Sequence, residues 1–160
     1  MLDAIVKQDC KKILENIKIN KFKKKKVLIL GGNSFLASYI QAILSHIDCQ
    51  IISVSLNNPK GILKYINKKK IIFIKEDLTN EEKLKKIINK KFDFIFHFAT
   101  YGQPKKWKNN ELSTISLNIN LLRQILNHSV KYKSKILYLS SAEIYKLSNE
   151  DKLINEKDPL

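Results

Sequence analysis

Arginine is almost missing from this chain. Arg123 is alone, although basic residues outnumber acidic ones 30 to 15 and the formal net charge is +15. An excess of that size raises the question of a nucleic-acid partner. Sites that read bases, however, rely on the bidentate fork of arginine, which the point charge of lysine does not reproduce. The wealth of lysine, isoleucine and asparagine is what an AT-rich coding sequence yields. The charge therefore reads as a solvated lysine surface, useful for attracting phosphorylated molecules, and nucleic acid is not expected as a partner. Cysteine is scarce as well. Cys10 and Cys49 have no metal-ligand spacing and no partner motif, so no metal site is expected and the thiols fit a reduced, cytoplasmic protein. No window approaches 18 consecutive apolar residues, so no membrane span is expected. The opening "MLDAIVKQDCKK" carries early acidic residues and no apolar core, unlike a secretory signal.

What is present is a regular alternation. A chain of 160 residues, 44% hydrophobic, suits one domain. Residues 3–20 place Ile5, Ile13, Leu14 and Ile17 at helical spacing, and residues 1–22 read as a peripheral helix and linker ahead of a lysine run. Then "KVLIL" predicts a strand and "SFLASYIQAILSH" a helix. "QIISVS" predicts a second strand, "GILKYINK" a short helix and "KIIFIK" a third strand. "TNEEKLKKIINK" predicts a helix with Thr79 as its N-cap and two glutamates in its first turn. "FDFIFHFA" is a fourth strand and "TYGQPKKWKNN" a loop broken by Gly102 and Pro104. A long helix over "ELSTISLNINLLRQILNHSVKY" and a fifth strand, "KILYLSS", complete residues 23–145. Residues 146–160 form an irregular tail. Strands that are apolar runs, alternating with helices, predict an α/β fold: a doubly wound, Rossmann-like parallel sheet covered on both faces.

Such sheets bind ligands beyond the carboxyl ends of their strands. After the first strand, "GGNSFLA" has Gly31 for a tight turn and a helix start that offers N–H groups to a pyrophosphate. Ser34 stands where a glycine would let the backbone approach that group, and Ala37 substitutes for a packing glycine. A plain structural turn is the competing reading. After the second strand, a carboxylate for a ribose 2′-hydroxyl is expected about 20 residues past the glycines. Ser55 stands there instead, with Lys60 beyond, so NAD or NADP both remain open. Asp77, after the third strand, suits either an adenine amino group or a loop cap. His97 by itself reads as a packed core histidine. After the fifth strand "LSSAEIY" puts two hydroxyls, a carboxylate and a phenol within six residues.

In this order, "VLILGGNSFL", "EDL", "FIFHFAT", "SLNIN" and "LYLSSAEIY" resemble the extended short-chain dehydrogenases/reductases, the NAD-dependent epimerase/dehydratase family acting on nucleotide sugars. The N-terminal helix and the "ATYGQPKKW" loop resemble the subset containing UDP-glucuronate decarboxylases. The resemblance implies NAD or NADP as cofactor, with Gly31, Gly32, Ser34, Phe35, Leu36 and Ala37 forming the pyrophosphate turn. It implies Ser55 beside the ribose, Asp77 and Leu78 in the adenine pocket, and Ala99 and Thr100 at the inner phosphate. Ser141 matches the catalytic Ser/Thr that bonds the sugar oxygen, and Glu143 a carboxylate used in elimination. Asn118 matches a position that is usually structural.

The same family carries a Tyr-x-x-x-Lys pair beyond that serine, the lysine lowering the phenol's pKa so that it can act as a base. Tyr101 and Lys105 have the spacing but sit in the wrong loop, and Tyr145 has Asn149 four residues on. The expectation is a truncated cofactor-binding part of a nucleotide-sugar enzyme, inactive alone, forming a homodimer or completed by a C-terminal fragment. A non-catalytic nucleotide-binding or scaffolding module is the alternative.

Overall fold

In the computed structural model, which describes residues 2–64, 66, 70–101, 103–141, 144–145 and 155–157 (the side chains of residues 2, 3 and 104 excepted), five parallel strands form one sheet. The strands are β1 (Lys26–Leu30), β2 (Gln50–Ser55), β3 (Ile71–Lys75), β4 (Phe94–His97) and β5 (Lys135–Tyr138), in spatial order β3-β2-β1-β4-β5. Chain order reverses direction at β1: β2 and β3 extend the sheet one way, β4 and β5 the other. The gap between the ends of β1 and β4 is therefore the switch point at which such sheets open a crevice.

The central strand explains the two-faced core. Val27, Leu28, Ile29 and Leu30 are completely buried, and successive side chains of a strand point to opposite faces. Val27 and Ile29 join one apolar cluster with Ala42 and Leu44 of α2 (Phe35–Leu44) and with Val6 and Cys10 of α1 (Leu2–Asn16). Leu28 and Leu30 join the other, with Leu84 of α3 (Glu81–Ile88) and Leu121 and Ile125 of α6 (Leu121–Tyr132). Each fully buried leucine or isoleucine contributes about 2 kcal/mol of transfer free energy, which is why the strands read as unbroken apolar runs. The N-terminal helix is not merely peripheral. Val6, Cys10 and, from the short 3-10 turn Asn20–Phe22, Phe22 lie in the same cluster as the sheet, and the Tyr39 hydroxyl of α2 donates to Asp9 at 2.8 Å.

Local chemistry moves several boundaries. Helix α1 ends at Asn16, and "GILKYINK" contributes only a 3-10 turn, Gly61–Lys64. The N-cap of α3 is Asn80, whose Oδ1 accepts the Lys83 N–H at 3.1 Å; Thr79 instead donates its N–H and hydroxyl to Asp77. The loop after β4 contains a short helix α4 (Pro104–Lys108), with proline at the first turn, where its missing N–H costs nothing. The long helix is interrupted: α5 (Glu111–Ile115) passes through a π-turn, Ser116–Asn120, before α6. Strand β5 stops at Tyr138, short of the serines, because beyond it only Leu139 continues the ladder, through its N–H to the His97 carbonyl at 3.3 Å. Gly102, Glu143 and most of the 146–160 tail lie outside the described residues.

At the amino edge of the sheet Asp93 ties three strands. Its carboxylate accepts the Lys26 N–H at 2.9 Å and meets Lys25 Nζ at 3.2 Å, while its backbone carbonyl accepts from Lys135. The Lys26 N–H, and then Lys25, hold the carboxyl below its ordinary range. A carboxyl with a depressed folded pKa stabilises above its unfolded pKa and loses that contribution as pH falls through the folded value. Urea midpoints of wild type and Asp93→Asn, followed from about pH 6 to about pH 2.5, should differ at the upper end and converge at the lower. A gap that stays constant would remove the carboxylate from this role.

Candidate active site

The turn after β1 is shaped by backbone contact. Gly31 has φ +83°, and a Cβ there would lie 2.6 Å from the Phe98 carbonyl carbon and the Ala99 nitrogen. A side chain is thus excluded twice, by the left-handed conformation and by the end of β4. A Cβ on Gly32 would meet Ser53 Oγ at 2.0 Å. Gln41, wholly buried on α2, clamps the turn from behind: its Nε2 donates to the Gly32 carbonyl at 2.8 Å and to Ala37 O at 3.0 Å. Ser34 is the N-cap of α2, its Oγ accepting the Ala37 N–H at 3.3 Å. That bond leaves the first-turn N–H groups of Phe35 and Leu36 without a partner among the described residues, the donor set that favours an anion at a helix start.

A cavity of about 430 Å³ opens at the carboxyl edge above this turn. Gly31, Ser34, Ser55, Asp77, Leu78, Ala99 and Thr100 all line it, so residues from the ends of β1, β2, β3 and β4 meet in one space. Four of the remaining predicted residues are not at its wall. Gly32 is packed on Ser53 and Ala37 is buried behind the turn. Phe35 and Leu36 lie on the outer surface of α2, Phe35 being 72% exposed with its ring edge-on to Tyr39. Ser141 lies three residues past β5 at the same edge of the sheet, exposed, and is not part of the lining. Strand spacing supplies the reason: β5 is two strands from β1, about 10 Å away. Glu143 lies outside the described residues.

Other lining residues were not legible from motif spacing. Asn33 is the clearest. Its Nδ2 donates to the Asn57 and Asn58 carbonyls at 2.8 and 3.0 Å, and its Oδ1 accepts the Lys60 N–H at 3.2 Å. It thereby fastens the loop after β2 to the turn after β1, across the cavity mouth. Asp77 takes the loop-cap role, its Oδ1 accepting the N–H and hydroxyl of Thr79, and it also lines the cavity. Glu76, beside it, is paired with Lys83 at 3.0 Å, which, first among its causes, holds its carboxyl below the usual range. Tyr101, from the β4–α4 connection, and Lys106, from α4, also reach the wall.

His97 is structural, as its type suggested. It is 2% exposed and both ring nitrogens are used. Nδ1 accepts the Ala99 N–H at 3.2 Å, so the proton sits on Nε2, which donates to the Leu117 carbonyl at 2.9 Å. One ring therefore joins the cavity strand to the π-turn, where Asn118 is also held, donating to Thr114 O at 2.9 Å and accepting from the Tyr138 hydroxyl at 3.4 Å. Burial pushes the imidazole below its usual pKa. A histidine with a depressed folded pKa adds stability above its unfolded value, near 6.5, and loses it as pH falls from there. Among the described residues no group of three or more His, Cys, Asp or Glu side chains could hold a metal.

Comparison with known proteins agrees with this geometry. The chain matches the NAD dependent epimerase/dehydratase family over residues 27–160. It is 30% identical over 152 residues to the bifunctional polymyxin resistance protein ArnA of Wigglesworthia glossinidia brevipalpis, a match covering 94% of this chain and 23% of that protein. Among solved structures it is similar to the ADP-L-glycero-D-manno-heptose-6-epimerase of Helicobacter pylori, with a TM-score of 0.71, 20% identity, and coverage of 89% of this chain and 47% of that one. The UDP-glucose-4-epimerase of Stenotrophomonas maltophila, solved with bound NAD and formylated UDP-arabinopyranose, aligns with a TM-score of 0.67 and 18% identity, over 84% of this chain and 42% of that one. The chain thus spans less than half the length of each of these proteins.

Gly31→Ala should destabilise the protein by about 3 kcal/mol, combining left-handed strain with a backbone clash. Urea denaturation measures it, and a loss within about 0.5 kcal/mol would mean the turn and the end of β4 are not pressed together.

Proposed function

This chain belongs to the NAD dependent epimerase/dehydratase family, and from that premise we propose that it is the NAD(P)-binding part of a nucleotide-sugar epimerase, dehydratase or decarboxylase, without turnover of its own. The observation that carries the reading is the meeting of Gly31, Ser34, Ser55, Asp77, Ala99 and Thr100 at one cavity over the switch point. The residues fit a dinucleotide. Helix α2 presents the Phe35 and Leu36 N–H groups for the pyrophosphate, Asp77 and Leu78 border the adenine end, and Ala99 and Thr100 the inner phosphate and ribose. The nicotinamide, when bound, supplies the hydride acceptor and donor. Among relatives, the epimerase with NAD bound supports NAD as the first candidate; Ser55, in place of a ribose-binding carboxylate, keeps NADP as the second.

One observation supports the absence of turnover: Ser141 is not in the cavity lining. Ser141 and Glu143 would act only when a partner segment supplies the base and the sugar pocket, either in a homodimer or in a complementing fragment. The same observation favours, as a second reading, a module that binds a nucleotide without transforming it. No helix among the described residues is long and apolar enough to cross a membrane.

Calorimetric titration with NAD and NADP tests the cofactor assignment. Wild type should bind at least one of them, and Asp77→Ala should weaken that binding. Ser34→Gly should tighten it by removing a Cβ beside the pyrophosphate, at a stability cost of about 0.3 kcal/mol for the lost cap. Absence of binding to either nicotinamide would overturn the assignment. Assays with UDP-glucuronate, UDP-glucose and dTDP-glucose should stay at background for the chain alone and rise when a downstream fragment carrying the Tyr–Lys pair is added. Robust turnover by the chain alone would refute the inactive reading.

A further inference from the structure

A second cleft lies away from the cofactor cavity. It has a volume of about 460 Å³ and is walled by the last turn of α3, with Lys85 and Lys86, and by a face of α6 that runs from Gln124 in its first turn to Lys131 and Tyr132 in its last. Both helices run back from the carboxyl edge to the amino edge of the sheet, so the cleft opens at the end opposite Gly31. Its most informative member is Gln124, which is 9% exposed, with neither Nε2 nor Oε1 hydrogen-bonded among the described residues. Buried amides are rarely left in that state without a missing partner. The neighbouring His128 does not supply one. Its Nε2 meets the Lys90 carbonyl at 2.8 Å and its Nδ1 the Ser134 hydroxyl at 3.2 Å, so both nitrogens are taken.

The rim of the cleft is cationic. Lys85, Lys86 and Lys131 are exposed and none has an acidic partner among the described residues. Lysines at helix ends offset the partial negative charge of the last carbonyls, but that partial charge is about half an elementary charge per helix, and three ammonium groups exceed it. The excess continues along the sheet edge through Lys90, Lys133 and Lys135. Lys133 holds a left-handed conformation, φ 56°, at the helix end where glycine is the usual residue. In the sequence these lysines are scattered through short clusters; the parallel topology gathers them at one edge.

The needs of the cleft define its ligand. The ammonium groups require anionic oxygens, Gln124 Nε2 an acceptor, and Gln124 Oε1 a donor, which the hydroxyls of an esterified sugar supply. We propose that the cleft between α3 and α6 binds a phosphate ester bearing free hydroxyls, the phosphate held by Lys85, Lys86 and Lys131 and the hydroxyl and ester oxygens by the amide of Gln124. Such a group comes from a free sugar phosphate or from the ribose–phosphate backbone of RNA.

Calorimetry on the full chain, with ribose 5-phosphate and with an oligouridylate of about twelve residues as probes, tests this. Ribose 5-phosphate should bind saturably in the presence of excess NAD, and more tightly than inorganic phosphate. The double variant Lys85→Glu/Lys86→Glu should weaken it about tenfold or more. Lys75→Glu/Lys108→Glu, the same charge change at the carboxyl edge, should alter it less than about threefold. Gln124→Leu should also weaken binding while leaving the thermal midpoint unchanged or higher, because an orphaned buried amide is removed; a purely structural glutamine would lower the midpoint. Tighter, steeply salt-dependent binding of the oligonucleotide would identify RNA as the source, and comparable affinity for the two probes the free ester. Absence of saturable binding to either probe, parity with inorganic phosphate, or full retention in the two cleft variants would overturn the proposal.

Discussion

The seating of the Gly31 turn against the Phe98–Ala99 backbone is the contact on which the carboxyl edge of this protein depends. It brings the end of β1 within van der Waals distance of the end of β4, across the switch point of the sheet. Every other feature of the cavity is arranged around it. Gln41 holds the turn from the helix side, Ser34 starts α2 at its rim, and His97 holds Ala99 from beneath. A close backbone contact of this kind tolerates no side chain, so the glycine has a packing role whatever the cavity binds. In the proposed reading, the ligand-facing role belongs to the helix N–H groups that the turn exposes.

His97 extends the same constraint outward. Because its protonated Nε2 points at Leu117, the imidazole fastens the strand end to the π-turn between α5 and α6. π-turns often sit beside functional sites, where the extra residue changes which side chains a helix presents. Here the turn places Leu117 on the cavity wall and Asn118 under Tyr138. The fold thus uses a buried neutral histidine for geometry, and the chemistry of the edge falls to hydroxyls, amides and carboxylates.

The two ends of the sheet have different electrostatic characters for a topological reason. In a parallel sheet all carboxyl ends share one edge and all amino ends the other. Lysines preceding β1, β4 and β5 therefore collect at the amino edge, with Asp93 as a counterweight paired to Lys25. The carboxyl edge holds Glu76 and Asp77 beside Lys106 and a set of neutral polar groups.

Hydrophobic periodicity by itself determined the strands, the main helices and the parallel, doubly covered sheet, since a strand buried on both faces must be apolar at consecutive positions. Strand ends named part of the cavity too, because in this topology such positions converge: Gly31, Ser34, Ser55, Asp77, Leu78, Ala99 and Thr100 line one space. Tertiary structure alone decided what depends on residues distant in the chain. Asn33 bridging to the loop after β2, Gln41 clamping Gly32, the tautomer of His97 and the π-turn all rest on partners up to 27 residues away, which no local pattern encodes. It also decided the cap of α3, where Asp77 draws Thr79 away and Asn80 takes its place. Asp77 shows the division within one residue: its position after a strand was readable, whereas its simultaneous service to a turn and to a cavity required the folded chain.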